Sequence, residues 1–220
     1  MCFSDLVPKV EFEQAIRDVL AREPRLAANA DEVARIYRTR HALAVAHSTE
    51  IELTRRVQEA IAEVARSGDG TVRAEKVIAE IGGWPRSYAE TVYRTNLATA
   101  YQAGRFQQAF DPRVAPEMRA FEYQTVGDVD VRDGTDGPEN HAAADGLIAG
   151  TKDSVWHRAS PPCGYNCRCS LRLVGVDELE ELGLIRPDGQ VQRREPSNFN
   201  EFRPHPRFGH SRPDLLVYGS

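Results

Sequence analysis

The chain has 220 residues and a mass of 24.5 kDa, which is enough for one domain or two small ones. Hydrophobic residues make up 41% and charged residues 28%, a composition typical of globular proteins and unlike that of collagens or fully disordered chains. The 28 basic and 33 acidic side chains give a net charge of −5, which argues against a general nucleic-acid coat because phosphate binding needs clustered positive charge.

The sequence pattern predicts neither a transmembrane helix nor a secretory signal. The sequence contains no run of about 18 apolar residues and therefore predicts no transmembrane helix. The segment from Met1 to Leu6 has neither the basic nor the apolar region of a secretory signal. We therefore expect a protein kept in a reducing cytoplasm, where clustered cysteines more often bind metal or remain free thiols than form disulfides.

The first third of the chain predicts helices. One short helix is expected to begin at Pro8 and to end at Pro24, since proline disfavours a helical residue before it. A second helix, capped by Asn29 or by Asp31, is predicted to run to Arg66, since apolar residues recur near a helical period. The Gly-containing segment 67–70 ends that pattern.

Two more helices are predicted before the middle of the chain. One spans residues 72–81 and stops at the two glycines that follow, and the other spans residues 86–110. Ala100 and Gly104 in the longer helix would allow a neighbouring backbone to approach closely.

From residue 118 onward the pattern favours short strands and short helices. Apolar and β-branched residues predict the strands, and the tail over 187–220 is rich in Pro, Gly, Asn, Arg and His and is expected to wrap over a neighbour or to stay mobile. We predict strands over residues 121–126, 129–131 and 167–174 and short helices over residues 139–149 and 176–184.

Together these elements predict an α+β protein. Its long N-terminal helices would be followed by a small mixed α/β domain and an irregular C-terminal tail. We place the helical region at residues 1–85, the mixed domain at 86–175 and the tail at 176–220.

Three of the four cysteines are crowded into seven residues. Cys163, Cys167 and Cys169 could supply three zinc ligands and His141 the fourth, since zinc prefers four nitrogen or sulfur ligands in a tetrahedron. Two cysteines one residue apart point to opposite faces of a regular strand, so both can bind one ion only at its irregular end. Free or disulfide-linked thiols remain the alternative, because a buried thiol often serves as a small hydrophobe.

Two neighbouring residues affect this interpretation. Arg168 lies between two of the cysteines and is expected to lower the pKa of their thiols. His157 is a rival ligand, which we interpret instead as a surface or packed residue beside Trp156.

A series of short blocks follows in order along the second half of the chain and ends in Pro-Pro-Cys-Gly-Tyr-Asn-Cys-Arg-Cys at residues 161–169. The blocks comprise 91–96, 103–105, 121–128, 131–132, His141, Asp145, Gly146 and Trp156, then Pro161, Pro162, Asn166, Cys167, Arg168 and Cys169. Over about 90 residues they resemble the phage Mu protein F-like family, the minor head or head-morphogenesis proteins of tailed phages. This chain departs from that family in carrying a longer polar loop between Arg132 and His141.

The resemblance implies structural work in the virion. It implies a minor capsid protein that associates with the portal and the inner head and acts in head assembly, DNA packaging or ejection. Its partners would be the portal protein and other head proteins, without a membrane, and it would pass through the host cytoplasm during assembly. Asp145, Gly146, Trp156, Pro161, Pro162, Asn166 and Arg168 would then be structural motif residues, with any zinc structural and no catalytic residue.

Two other functions remain open. A metal-dependent hydrolase or nuclease could use His141, Asp145 and the cysteine cluster, and Mu F-like domains also occur next to toxin domains. Against it, a catalytic zinc needs an open position and a poised base, and no second carboxylate or histidine lies at a fixed spacing. A basic tail could also contact packaged DNA, although a solvated or partner-facing tail is the plainer interpretation; its arginines are Arg193, Arg194, Arg203 and Arg207.

Overall fold

The computed structural model describes residues 9–39, 42–46, 50–68 and 70–208, and they form an α+β arrangement of helices and two small sheets. The described residues fall into two units, one reaching Gly104 and the other beginning at Arg105. Among the described residues, none of the helices combines the length and the apolar character needed to cross a bilayer.

The first unit is mainly helical and contains a two-stranded sheet. Its strands pair in parallel, with Glu23 opposite Ala42 and Ala27 opposite Ala46. The elements are α1 (Lys9–Ala21), β1 (Glu23–Ala27), α2 (Ala30–Thr39), β2 (Ala42–Ala46), α3 (Ile51–Ser67), α4 (Gly70–Gly82) and the first part of α5 (Arg86–Phe110).

The single helix predicted from Asp31 to Arg66 is wrong. Helix α2 ends at Thr39, β2 follows it, and α3 begins at Ile51. All five side chains of β2 are buried, so this strand appears in the sequence as a continuous apolar run. A run of that kind does not distinguish a fully buried strand from a piece of helix.

Strand β1 was not predicted because it contains Pro24. Proline cannot donate a ladder hydrogen bond and is confined to edge strands. A two-stranded sheet has only edge strands, which is why the residue is tolerated here.

The core of the first unit lies between its helices and β2. Val19, Leu43, Ile61 and Ile78 are buried there and belong to one cluster. The predicted close approach at α5 is confirmed, because a Cβ atom at Gly104 would lie 3.4 Å from Cβ of Gln14 in α1. The bounds of α4 and α5 also agree with the sequence to within two residues.

The second unit is built on a three-stranded antiparallel sheet of order β4-β3-β5. In its register Phe121 lies opposite Ala149 on one side and Leu173 on the other. The elements are β3 (Met118–Gln124), a 3₁₀ turn (Ala142–Ala144), β4 (Ile148–Gly150), α6 (Trp156–Ala159), β5 (Ser170–Gly175), α7 (Val176–Glu181) and a second 3₁₀ turn (Phe199–Glu201).

Two short elements predicted in this unit are wrong. The segment around Val129 is a turn and not a strand, and this side chain is 99% exposed, so no neighbouring strand or core holds it. The helix predicted over 139–149 is a 3₁₀ turn followed by β4. Gly146 separates the two with φ of +77°, a left-handed conformation that favours glycine and interrupts a helix.

Strand β5 begins at Ser170, three residues later than predicted. Cys167 and Cys169 therefore lie in the irregular segment before the strand. This is the arrangement in which two cysteines one residue apart can face one ion.

The described part of the C-terminal tail wraps over the second unit. Arg194 pairs with Ile148 of β4 and Arg203 pairs with Asn140, each through backbone hydrogen bonds. Phe202 is fully buried, and its ring lies edge-on to that of Tyr123 with centroids 6.1 Å apart. Residues 209–220 lie outside the described residues.

Candidate functional site

Three of the four predicted ligands converge just before β5. Nδ1 of His141 lies 3.7 Å from Sγ of Cys167, and the donor atoms of these two residues and of Cys169 all lie within 4.8 Å of one another. All three side chains are buried. One imidazole nitrogen and two sulfurs are ligand types that zinc favours.

The loop of residues 160–169 turns tightly and brings Cys167 and Cys169 close to His141. The Pro161-Pro162 peptide bond is cis, and Asn166 has φ of 56°. Asparagine is one of the few residues that adopts this left-handed conformation readily. The backbone N–H of Cys167 donates to the carbonyl of Gly164 at 3.3 Å and closes the turn.

His141 is positioned by its backbone and by groups that face its two ring nitrogens. Its backbone N–H donates to the carbonyl of Arg132 at 2.7 Å. Its Nε2 faces Oε2 of Glu139 at 3.5 Å, and Nε of Arg132 lies 2.9 Å from the same carboxylate oxygen. Within the described part of the chain, this buried Nε2 has no hydrogen bond of good geometry. The imidazole therefore presents Nδ1 to the sulfurs and Nε2 to a carboxylate.

Cys163 lies deeper in the unit. It is fully buried and falls outside the set of donors that all lie within 4.8 Å of one another. The hydroxyl of Tyr123, also fully buried, donates to its sulfur at 3.5 Å. The thiol of Cys163 lies 3.7 Å from the carbonyl of Ser160, and interaction with Cys167 helps to raise its pKa, which connects it to the cluster.

The three thiols differ in acidity because of these contacts. Hydrogen bonds from Cys163 and Cys169, together with His141, hold the pKa of Cys167 well below its usual value. Burial raises the pKa of Cys163, and donation to Cys167 raises that of Cys169. The cluster therefore favours one thiolate, at Cys167, with two thiols pointing at it.

The prediction that Arg168 lowers the pKa of both neighbouring thiols is wrong for Cys169, whose pKa is raised. Its guanidinium makes two hydrogen bonds of 2.6 Å to Asp128 and a third of 3.3 Å to Asp130. The causes that lower the pKa of Cys167 are thiols and His141, and the pKa of Cys169 is raised. Arg168 thus fastens the 128–130 turn beside the cysteines.

Other motif residues support the surrounding backbone. Oδ1 of Asp145 accepts hydrogen bonds from the backbone N–H of Thr125 at 2.7 Å and from its hydroxyl at 3.0 Å. The indole of Trp156 donates to the carbonyl of Gly150 at 2.8 Å and is buried. His157 is exposed on α6, as interpreted from the sequence.

The tail arginines are engaged within the protein to different degrees. Arg193 pairs with Asp153 and Glu195. Arg203 donates to the carbonyls of Asn200 and Phe202 at 2.7 and 2.9 Å. Arg194 lies 4.0 Å from Glu122, and the backbone N–H of Arg207 donates to Nδ1 of His205 at 3.1 Å.

A very small cavity borders the cluster. Its volume is about 10 Å³, and its walls include His141, Cys167, Cys169, Asn166 and Arg168. Space of this size holds about one water molecule or one ion. This space beside the donors suits a single atom-sized guest.

Sequence reasoning missed two members of the site. Glu139 is two residues before His141 in a polar loop, and Tyr123 is buried in β3 two residues after the buried Phe121. The inward position of Tyr123 in a strand could have been inferred from its two-residue period. No spacing rule points to Glu139, which reaches His141 because the intervening backbone turns.

Comparison with known proteins matches the family model described as "Phage Mu protein F like protein" to residues 55–172. A relative in Escherichia phage Mu, named "Putative capsid assembly protein F", is 37% identical over 102 residues, which is 46% of this chain and 21% of the relative. A "Mu-like prophage FluMu F protein" of Haemophilus influenzae is 25% identical over 174 residues, 70% of this chain and 40% of that protein.

The chain thus spans between about a fifth and two fifths of the length of these relatives. A comparison with solved structures finds no match. The family match covers more than half of the chain and includes His141, Cys163, Cys167 and Cys169. The chain belongs to the phage Mu protein F-like family.

Proposed function

We propose that this chain is a structural protein of a phage head and acts in head assembly. The observation that carries the proposal is the family match over residues 55–172, together with the printed name of the phage Mu relative, a putative capsid assembly protein. The matched range includes α5, the three-stranded sheet and the cysteine loop. The chain would then be located in the phage head.

The proposed partners of the chain are the portal protein and other head proteins. We place the chain at the portal and the inner face of the head, where it acts in assembly, DNA packaging or ejection alongside other head proteins. Assembly would take place in the host cytoplasm. The resemblance of residues 86–174 to minor head proteins of tailed phages supports this placement.

The site geometry supports a role without catalysis. The imidazole of His141 is directed at Cys167 on one side and at Glu139 on the other. The carboxylate of Asp145 accepts two hydrogen bonds from Thr125. A hydrolase would need a base and room for substrate, whereas the cavity beside the cluster measures about 10 Å³.

Contact with packaged DNA is a minor part of the proposal. The tail carries exposed arginines that include Arg193, Arg194 and Arg203. Because Arg193 is ion-paired with Asp153 and Glu195, its charge is already partly compensated. The net charge of −5 leaves room for a local contact only.

Association with the portal is tested by co-expression. The full chain is produced with the tagged portal protein encoded by the same phage, and the complex is purified at moderate salt. We expect the chain to elute with portal rings and to be absent from a control purification of an unrelated protein that carries the same tag. A chain that elutes apart from the portal under these conditions contradicts the portal placement.

A further inference from the structure

The second unit buries four side chains that are all of types zinc favours as ligands. His141, Cys163, Cys167 and Cys169 are each at most 8% exposed. The donor atoms of His141, Cys167 and Cys169 all lie within 4.8 Å of one another, close enough for one ion to contact all three after small shifts. We propose that these four residues bind one structural zinc ion, which fastens the C-terminal segment of the unit.

Distances between the donors agree with this assignment. Zinc bonds of about 2.0–2.3 Å in a tetrahedron place neighbouring ligand atoms roughly 3.3–3.8 Å apart. The separation of 3.7 Å between Nδ1 of His141 and Sγ of Cys167 falls in that interval. Cys169 completes a triangle in which no donor pair exceeds 4.8 Å, so small shifts bring all three onto one ion.

Cys163 is the fourth ligand. It is fully buried in the same loop as Cys167 and Cys169, and its thiol lies 3.7 Å from the carbonyl of Ser160. The hydroxyl of Tyr123 donates to the same sulfur at 3.5 Å, an arrangement that also suits a metal-bound thiolate as acceptor. A closed set of three sulfurs and one nitrogen is typical of structural zinc sites, whereas catalytic sites keep one position open.

Glu139 is a positioning residue for His141. Metal-binding histidines usually donate their second ring N–H to a carboxylate or a carbonyl, which fixes the tautomer. Here Oε2 of Glu139 lies 3.5 Å from Nε2 of His141, and Arg132 lies 2.9 Å from the same oxygen. With zinc bound, a proton on Nε2 would face this carboxylate, and Nδ1, which faces the sulfur of Cys167, would be the atom that binds the ion.

The site also anchors the C-terminal segment. The backbone N–H of His205 donates to the carbonyl of Cys163 at 2.8 Å. Arg203 and Asn140 exchange two backbone hydrogen bonds of 3.0 and 2.8 Å, next to His141 in the chain. One ion bound by His141 and Cys163 would therefore connect the two chain segments to which Arg203 and His205 are hydrogen-bonded.

Metal content is the primary test. The full chain is purified without chelator, and zinc is measured by plasma mass spectrometry. We expect about one zinc per chain, lost in Cys167→Ser and Cys169→Ser and retained in the controls His157→Ala and Cys2→Ser. Less than about a tenth of a zinc per chain in protein with reduced thiols would overturn the proposal.

Cobalt substitution then tests the ligand set. Co²⁺ bound to thiolates gives charge-transfer absorption that scales with the number of sulfurs, and Cys163→Ser should lower it by about a third. Glu139→Gln should keep the spectrum and weaken zinc affinity by about 10- to 100-fold in a chelator competition. An unchanged spectrum in Cys163→Ser would contradict the four-ligand assignment, and unchanged affinity in Glu139→Gln would contradict the positioning role.

Limited proteolysis tests the fastening in the wild-type chain, so it does not depend on a variant that folds. Trypsin cleavage after Arg207, which precedes Phe208, is followed by mass spectrometry before and after zinc is removed with a strong chelator. We expect cleavage at this site to accelerate at least about tenfold on removal and to slow again when zinc is restored, since the segment loses its anchor. Equal rates with and without zinc would overturn the fastening role.

Discussion

At the scale of single residues, the candidate site depends on a glycine in its loop. A Cβ atom at Gly164 would lie 2.8 Å from Oε2 of Glu139 and 3.2 Å from Cε1 of His141. Distances this short require a neighbour to move. The absence of a side chain at Gly164 therefore lets the carboxylate and the imidazole occupy the same small space.

We expect Gly164→Ala to lower the free energy of unfolding by about 1–2 kcal/mol, because the added methyl group displaces Glu139 from His141. Gly137→Ala is the matched control, since a Cβ atom there meets nothing within 4 Å, and its effect should stay within about 0.5 kcal/mol. Urea unfolding of the two variants provides the comparison. Equal free energies of unfolding for the two variants would show that a methyl group fits at Gly164 without displacing Glu139.

The residues of the site were only partly predictable. The one-residue spacing of Cys167 and Cys169 and the family resemblance pointed to His141 and both cysteines, and the structure brings these three together. Glu139 was missed because its position depends on a turn that residue spacing does not encode. The role expected for Arg168 was wrong because Asp128, 40 residues away, competes for its guanidinium.

At the scale of elements, α1 is attached to α3 through buried polar groups. Asp18 of α1 forms an ion pair with Arg22, the residue just after the end of this helix, and the two side chains are only 1% and 2% exposed. The amide of Gln58 in α3 donates to the carbonyls of Val19 at 2.5 Å and of Arg22 at 2.9 Å. The end of α1 is thereby fixed against its neighbour without relying on apolar contacts alone.

Asp18→Ala should destabilise the protein by about 3–5 kcal/mol, because it leaves the buried guanidinium of Arg22 without its partner. Glu13→Ala provides the control on the same helix. Its pair with Arg17 has the same four-residue spacing, but the side chains are 59% and 80% exposed, so the loss should be below about 0.5 kcal/mol. A chemical denaturation series measures both, and similar small losses would contradict the importance of the buried pair.

Prediction of the elements succeeded where the helical period was sustained and failed where burial removed it. Helices α4 and α5 keep one apolar face over many residues and were located to within two residues. Strand β2 is buried at every position, so its sequence carries no alternation. The short strand β4 follows a turn that depends on Gly146, and three residues carry too little pattern to be recognised.

At the scale of the whole molecule, the α+β class was predictable from helical patterns followed by short strand patterns, although two strands also lie among the N-terminal helices. The path of the tail was not, because it depends on pairings between distant residues, such as Ile148 with Arg194 and Asn140 with Arg203. Such pairings leave no local pattern in a segment rich in proline and glycine. The described tail is consequently part of the second unit and helps to cover its sheet.

The proposed function makes this chain a component of a phage head. Heads are purified by density gradient from cells producing the phage that encodes the chain, and their proteins are quantified by mass spectrometry against the major capsid protein. We predict that peptides of this chain band with the heads in a small, constant ratio to the capsid protein and stay with them after high-salt washing. Heads that form normally and contain no peptide of this chain at any stage of assembly would contradict its proposed place in the phage head.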